Sequence, residues 1–199
     1  MEFSRRTRAP TSRTTLVTGF YGALGLVALG IGAARGDLDL YRLGAPVAPL
    51  ELSASPVLTL LVGPVVGVAV GLLVVFLTRL CTHRFDWARQ LHRDFRGLLG
   101  VLSPREIVAL AVASSIGEEL LFRGAILPWL GLGWSALLFG ALHVGPSTRF
   151  LPWTLSALLA GVLFGALLLV TGNLGAPIAA HFTVNLMNLR YIVRVELPE

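Results

Sequence analysis

The chain has 199 residues, 55% hydrophobic and 14% charged, with a mean hydropathy of +0.77. This composition excludes an ordinary soluble domain and, with its long apolar runs, predicts an all-α, polytopic integral membrane bundle of about six spans. The formal charge of +5 comes from arginines at the ends of apolar runs, a positive-inside pattern that argues against nucleic acid as a partner. Cys81 is the sole cysteine, which rules out an intrachain disulfide and a cysteine-based zinc site.

Residues 1–15 carry Arg5, Arg6, Arg8 and Arg13 and read as a basic cytoplasmic tail. The next apolar run, 16–34, is longer than a signal-peptide core and reads as a retained span. Residues 35–55 hold two arginines against three acids and suit an outer loop. A second span over 56–80 completes an N-terminal pair of spans, 16–80.

Residues 81–103 place Trp87, Leu91, Phe95, Leu98 and Leu99 at helical spacing among arginines, predicting an amphipathic helix on the cytoplasmic surface. His83 and His92 read there as ordinary surface residues. Ser103-Pro104-Arg105-Glu106 is a capping-box helix start and opens a core over 104–199. Its third span, 105–122, is expected to break at Gly124, Pro128, Gly131 and Gly133. A short fourth span covers 134–144 and a fifth, uncharged one covers 150–170. The turn Gly172-Asn173-Leu174-Gly175 precedes a sixth span opened by Pro177. Both termini then fall on the cytoplasmic side of what is expected to be a bacterial inner membrane. Trp129, Trp134 and Trp153 read as interfacial anchors.

Inside these apolar segments lie very few ionisable groups: Glu118, Glu119, Arg123, His143 and His181. An acidic or basic side chain at a bilayer centre costs about 2.5 to 3.5 kcal/mol, so two glutamates need compensation. Glu119 and Arg123 are four apart and predict an intrahelical ion pair. Glu118 lies about 100° round the helix and can serve another partner. Pro177, His181, Asn185 and Asn188 share one face of the last span.

A carboxylate and a neutral imidazole on one water can deprotonate it, and a second imidazole with an amide can stabilise an oxyanion. That is the inventory of a peptidase using activated water. Glu118, His143 and His181 could instead bind zinc, and spacing alone leaves the two open. A proton- or ion-coupled transporter, or a non-catalytic scaffold or immunity protein, is the alternative from another class.

Glu118-Glu119-Leu120-Leu121-Phe122-Arg123 resembles the E-E-x-x-x-R motif of the CPBP intramembrane proteases, the type II CAAX prenyl endopeptidase or Abi family. Phe139–His143 is similar to its F-x-x-x-H motif and His181–Asn185 to its H-x-x-x-N motif, in the family's order. The resemblance, over about 104–190, implies a helical bundle with a polar intramembrane cavity. It implies Glu118 and His143 as water activators, His181 and Asn185 as the oxyanion hole, and Glu119 and Arg123 as support. The family is described both as zinc-dependent and as metal-independent glutamate-type proteases; the expectation here is the latter, with no cofactor. The implied substrates are membrane, lipidated or C-terminally anchored proteins in the lipid bilayer. The short chain resembles the bacterial myxosortases more than the eukaryotic enzymes.

Overall fold

The computed structural model describes residues 10–42 and 56–197, and among these it is a bundle of helices. Of the expected tail over 1–15 and loop over 35–55, residues 1–9 and 43–55 lie outside the described residues. In order come α1 (Pro10–Arg35), α2 (Pro56–Arg84), α3 (Asp86–Leu99), α4 (Pro104–Glu119), a π-helical turn (Leu120–Ile126), α5 (Leu127–Ala141), a 3-10 turn (Thr148–Phe150), α6 (Leu151–Thr171) and α7 (Gly175–Arg194). Among the described residues, four stretches are long and apolar enough to cross a membrane: Thr14–Arg35, Leu60–Arg84, Pro104–Ala141 and Thr148–Thr171. This is the helical membrane bundle that the composition requires.

The element ends follow local chemistry. α1 begins at Pro10, ahead of the expected 16, because a helix does not need apolar residues to start. It closes on Gly36 (φ 72°), whose N–H bonds to the Ala33 carbonyl while the Asp37 N–H reaches Gly32. At α4 the expected capping box is complete: Ser103 Oγ accepts from the Glu106 N–H at 3.3 Å, and Glu106 Oε2 accepts from the Ser103 N–H at 2.8 Å.

The break after the third span differs from expectation. The helix does not stop at Gly124 or Pro128; the π-helical turn runs directly into α5, with Pro128 just after it. The reversal is at Gly131, with φ 81° and ψ 170°. Beyond it the chain doubles back, since Phe139 packs edge-on against Phe122 at 5.0 Å. A straight helix would hold those two residues about 25 Å apart. Carbonyls of the π-helical turn also accept from outside donors: Ser135 Oγ donates to Phe122 O at 2.8 Å, beside the Leu127 N–H, and Arg35 Nη1 to Ala125 O at 3.0 Å.

α2 lies along α7 through Gly63, Gly67 and Gly71 at four-residue spacing. A Cβ at Gly67 would run into the Ala176 carbonyl, and one at Gly71 would meet Ala180 O at 2.8 Å. Small residues thus let the two backbones touch where lipid supplies no hydrophobic drive.

α3 is amphipathic as expected, and one side of it packs on the bundle. Trp87 and Leu98 are exposed, whereas Ala88 and His92 are buried and Phe95 packs on Phe150 and Trp153. His92 is therefore not a surface residue. Its Nε2 bonds to Val195 O at 2.9 Å beside Tyr191, and Arg96 reaches the Val193 carbonyl at 2.6 Å and Glu196 at 2.7 Å. These contacts strap α3 to the end of α7. Periodicity could not reveal them, because they depend on where the C-terminal segment lies.

Burial pushes the His92 imidazole below its ordinary pKa, with Arg96, Arg79 and Arg93 acting in the same direction. The unfolded chain then binds the proton first, so stability is full above the unfolded value near 6.5 and falls as pH drops below it. We expect the melting temperature of purified protein to decline from about pH 7 to pH 5. That component of the decline should be missing in His92→Gln, as differential scanning fluorimetry across pH will show.

Candidate active site

α4 and the π-helical turn carry Glu118, Glu119 and Arg123 into the centre of the bundle. Glu119 and Arg123 are fully buried, and Arg123 Nη1 donates to Glu119 Oε1 at 3.0 Å. Nη2 reaches Gly161 O at 3.3 Å in α6, and the guanidinium lies over the Phe139 ring at 4.3 Å. The ion pair is thus the one the spacing predicts. It has a third member that the spacing did not reveal: His181 Nδ1 lies 2.7 Å from the same Glu119 Oε1. Glu119 therefore fixes the ring of His181 across from α7.

Glu118 points elsewhere, as its angular offset requires. Its Oε2 stands 3.8 Å from His143 Nε2 and 3.8 Å from His181 Nε2, beyond direct hydrogen bonding. Among the described residues this buried oxygen has no hydrogen-bond partner. Two imidazoles, one from α7 and one from just after α5, therefore converge on one carboxylate oxygen of α4.

His143 is held from three directions. Its Nδ1 lies 2.6 Å from Phe139 O, and a carbonyl can only accept, so Nδ1 carries the proton. In the neutral ring Nε2 is then a bare acceptor facing Glu118. The ring rests against Phe139 at 4.4 Å and edge-on to Trp153 at 5.2 Å. Thr154 Oγ1 donates to the His143 carbonyl at 2.7 Å. His181 in turn stacks on Phe164 at 5.3 Å.

Asn185 lies one turn beyond His181 and donates from Nδ2 to Ser114 Oγ at 2.9 Å, one turn before Glu118. It borders the convergence along the same α4–α7 seam. Asn188 is elsewhere, accepting from Arg79 at 2.9 Å. Trp129 and Trp134 are exposed as anchors should be, but Trp153 packs on His143. Sequence reasoning passed over Tyr21 of α1, whose phenol faces the Glu118 carboxylate. The available signal was that Tyr21 carries the single polar side chain between Thr18 and Arg35.

Glu118, His143 and His181 are the set that could take zinc. Among the described residues, no group of three His, Cys, Asp or Glu is arranged to hold a metal ion.

A family model described as Type II CAAX prenyl endopeptidase Rce1-like matches residues 101–187. All three motifs lie inside that stretch, and the resemblance they carry holds there. The uncharacterized protein YpbD of Bacillus subtilis (strain 168) is 35% identical over 82 residues. That match covers 40% of this chain and 41% of YpbD, so the chain spans about two fifths of the curated relative's length. No solved structure matches the chain.

Removing one partner of a buried ion pair leaves the other charge uncompensated, at a cost of about 3 to 5 kcal/mol. Arg123→Met should therefore lower the melting temperature and the membrane abundance sharply. The double variant Glu119→Gln/Arg123→Met should recover part of the loss. A double variant no more stable than Arg123→Met would show that the pair is not the source.

Proposed function

We propose that the protein is an intramembrane endopeptidase that hydrolyses a peptide bond of a membrane-anchored protein. The observation that carries this reading is the placement of Glu118 Oε2 at 3.8 Å from two imidazole nitrogens, one of them left bare by the Phe139 carbonyl.

A water within about 2.8 Å of both Glu118 Oε2 and His143 Nε2 would donate one hydrogen to each acceptor. Its lone pairs would then face the substrate carbonyl. Glu118 takes a proton as the water oxygen attacks the carbonyl carbon, and later returns it to the leaving amine as the C–N bond breaks. The oxyanion formed on the carbonyl oxygen needs donors. His181 offers Nε2–H as an imidazolium, which the Glu119 carboxylate at Nδ1 stabilises. Asn185 offers Nδ2 if it turns from Ser114. Glu119 and Arg123 support both steps by holding His181 in place.

The matched family supports membrane-anchored proteins as the substrate class. Within that class we favour processing of C-terminal tails, the myxosortase-like mode. The activity is read as metal-independent, of the glutamate type. The arginine bias supports an inner-membrane location with both termini in the cytoplasm.

Glu118→Gln and His143→Ala should each lower cleavage by about 100-fold or more, the scale of a lost general base, while the protein remains in the membrane. The readout is mass spectrometry of membrane-protein C-terminal peptides in cells expressing wild type or variant. Cleavage that survives either substitution would overturn the assignment. Stoichiometric zinc lost together with activity in strong chelator would overturn the metal-independent reading.

A further inference from the structure

Glu118 is faced by groups from several elements: His143 after α5, His181 on α7, and Tyr21 on α1, with Glu119 and Arg123 on its own strand of helix. All of them except Tyr21 lie within residues 101–187, the stretch that matches the family. Tyr21 enters because α1 runs directly against α4 at Gly117, the residue before Glu118. A Cβ at Gly117 would meet Tyr21 O at 2.6 Å and Tyr21 Cβ at 3.1 Å. The missing side chain of Gly117 thus lets the Tyr21 backbone rest on α4, which directs its phenol toward the Glu118 carboxylate.

The rest of α1 sharpens the point. Thr18 spends its hydroxyl on the Thr14 carbonyl at 2.8 Å. From residue 19 to residue 34 every other side chain is apolar or absent. Tyr21 sits seven residues into the apolar window Thr14–Arg35, about 10 Å along the helix, rather than at the interface where tyrosines usually anchor. A phenol at that depth needs a hydrogen-bond partner, and with the Tyr21 backbone seated on Gly117 the neighbouring Glu118 carboxylate is the acceptor it faces.

A glutamate carboxylate turns easily about its last torsion, whose preferences are broad. Glu118 Oε2 has no direct hydrogen bond to hold it, since both imidazoles stand 3.8 Å away. We infer that Tyr21 is a positioning residue of the hydrolytic centre: its hydroxyl holds the Glu118 carboxylate so that Oε2 stays aimed between His143 and His181. The centre therefore extends into α1, outside the matched stretch. This inference rests on the reading of Glu118 as the base.

The test uses the full chain, purified in detergent, with Tyr21→Phe and Glu118→Gln. Tyr21→Phe keeps the ring that packs on Phe20 and removes only the hydroxyl. In isotope-edited infrared spectra, the carboxylate band lost in Glu118→Gln belongs to Glu118. That band should shift in Tyr21→Phe. Turnover of the tail-processing substrates should fall about tenfold in Tyr21→Phe with KM unchanged, as expected for a lost hydrogen bond to a charged group. Gly117→Ala, which displaces the α1 backbone without touching the phenol, should shift the same band and lower turnover in the same way. An unshifted band or undiminished turnover in Tyr21→Phe overturns the positioning role and leaves Glu118 as the base. Cleavage that persists in Glu118→Gln overturns both readings together.

Discussion

The buried pair of Glu119 and Arg123 is the constraint on which the bundle depends. Both side chains are fully enclosed, and each would be very costly there alone. Their mutual bond at 3.0 Å is extended outward, by Arg123 to the Gly161 carbonyl and by Glu119 to His181. Three helical segments, α4 with its π-helical turn, α6 and α7, are thereby tied to one polar knot. Because lipid tails are as apolar as the side chains facing them, such polar ties and close packing decide which helices meet.

Close packing is the second half of the same solution. Gly63, Gly67 and Gly71 let α2 touch α7, while Gly161 lets α6 approach Ala136, where a Cβ would stand 2.9 Å from its Cα. The polar knot alone would leave the helices free to pivot about it. The glycine contacts remove that freedom by seating backbone on backbone. The aromatic shell of Phe122, Phe139, Phe164 and Trp153 then fills the space around the charges and keeps both imidazole rings from turning.

Much of this was legible from local spacing. The capping box at Ser103 and the Glu119–Arg123 pair each involve residues within four positions, so the helix period alone predicts them. The three motifs identified Glu118, His143 and His181, and the fold brings these together. What was not legible is set by tertiary contact. His92 looks like any charged-segment histidine until Val195 covers it. Gly131 is one of several helix breakers between the third and fourth spans, and nothing local marks it as the one that reverses the chain. Trp153 looks like a membrane-interface aromatic because composition cannot distinguish a ring facing lipid from one packed on an imidazole.

Adjacent glutamates make physical sense in this light. A buried carboxylate that meets an arginine and a histidine through one oxygen, as Glu119 does through Oε1, has its orientation fixed and is not free to turn toward a substrate water. Successive helix positions differ by about 100°, so two neighbouring carboxylates are delivered together to the same depth but to different partners. Glu119 takes Arg123 and His181. Glu118 inherits a site whose cation is already paired and whose histidine is already oriented. The π-helical turn starts at the next residue, Leu120, and two of its carbonyls, those of Phe122 and Ala125, accept from Ser135 and Arg35. The irregular backbone that brings the pair into the bundle is therefore secured by donors from α5 and α1, and the carboxylates need not be spent on it.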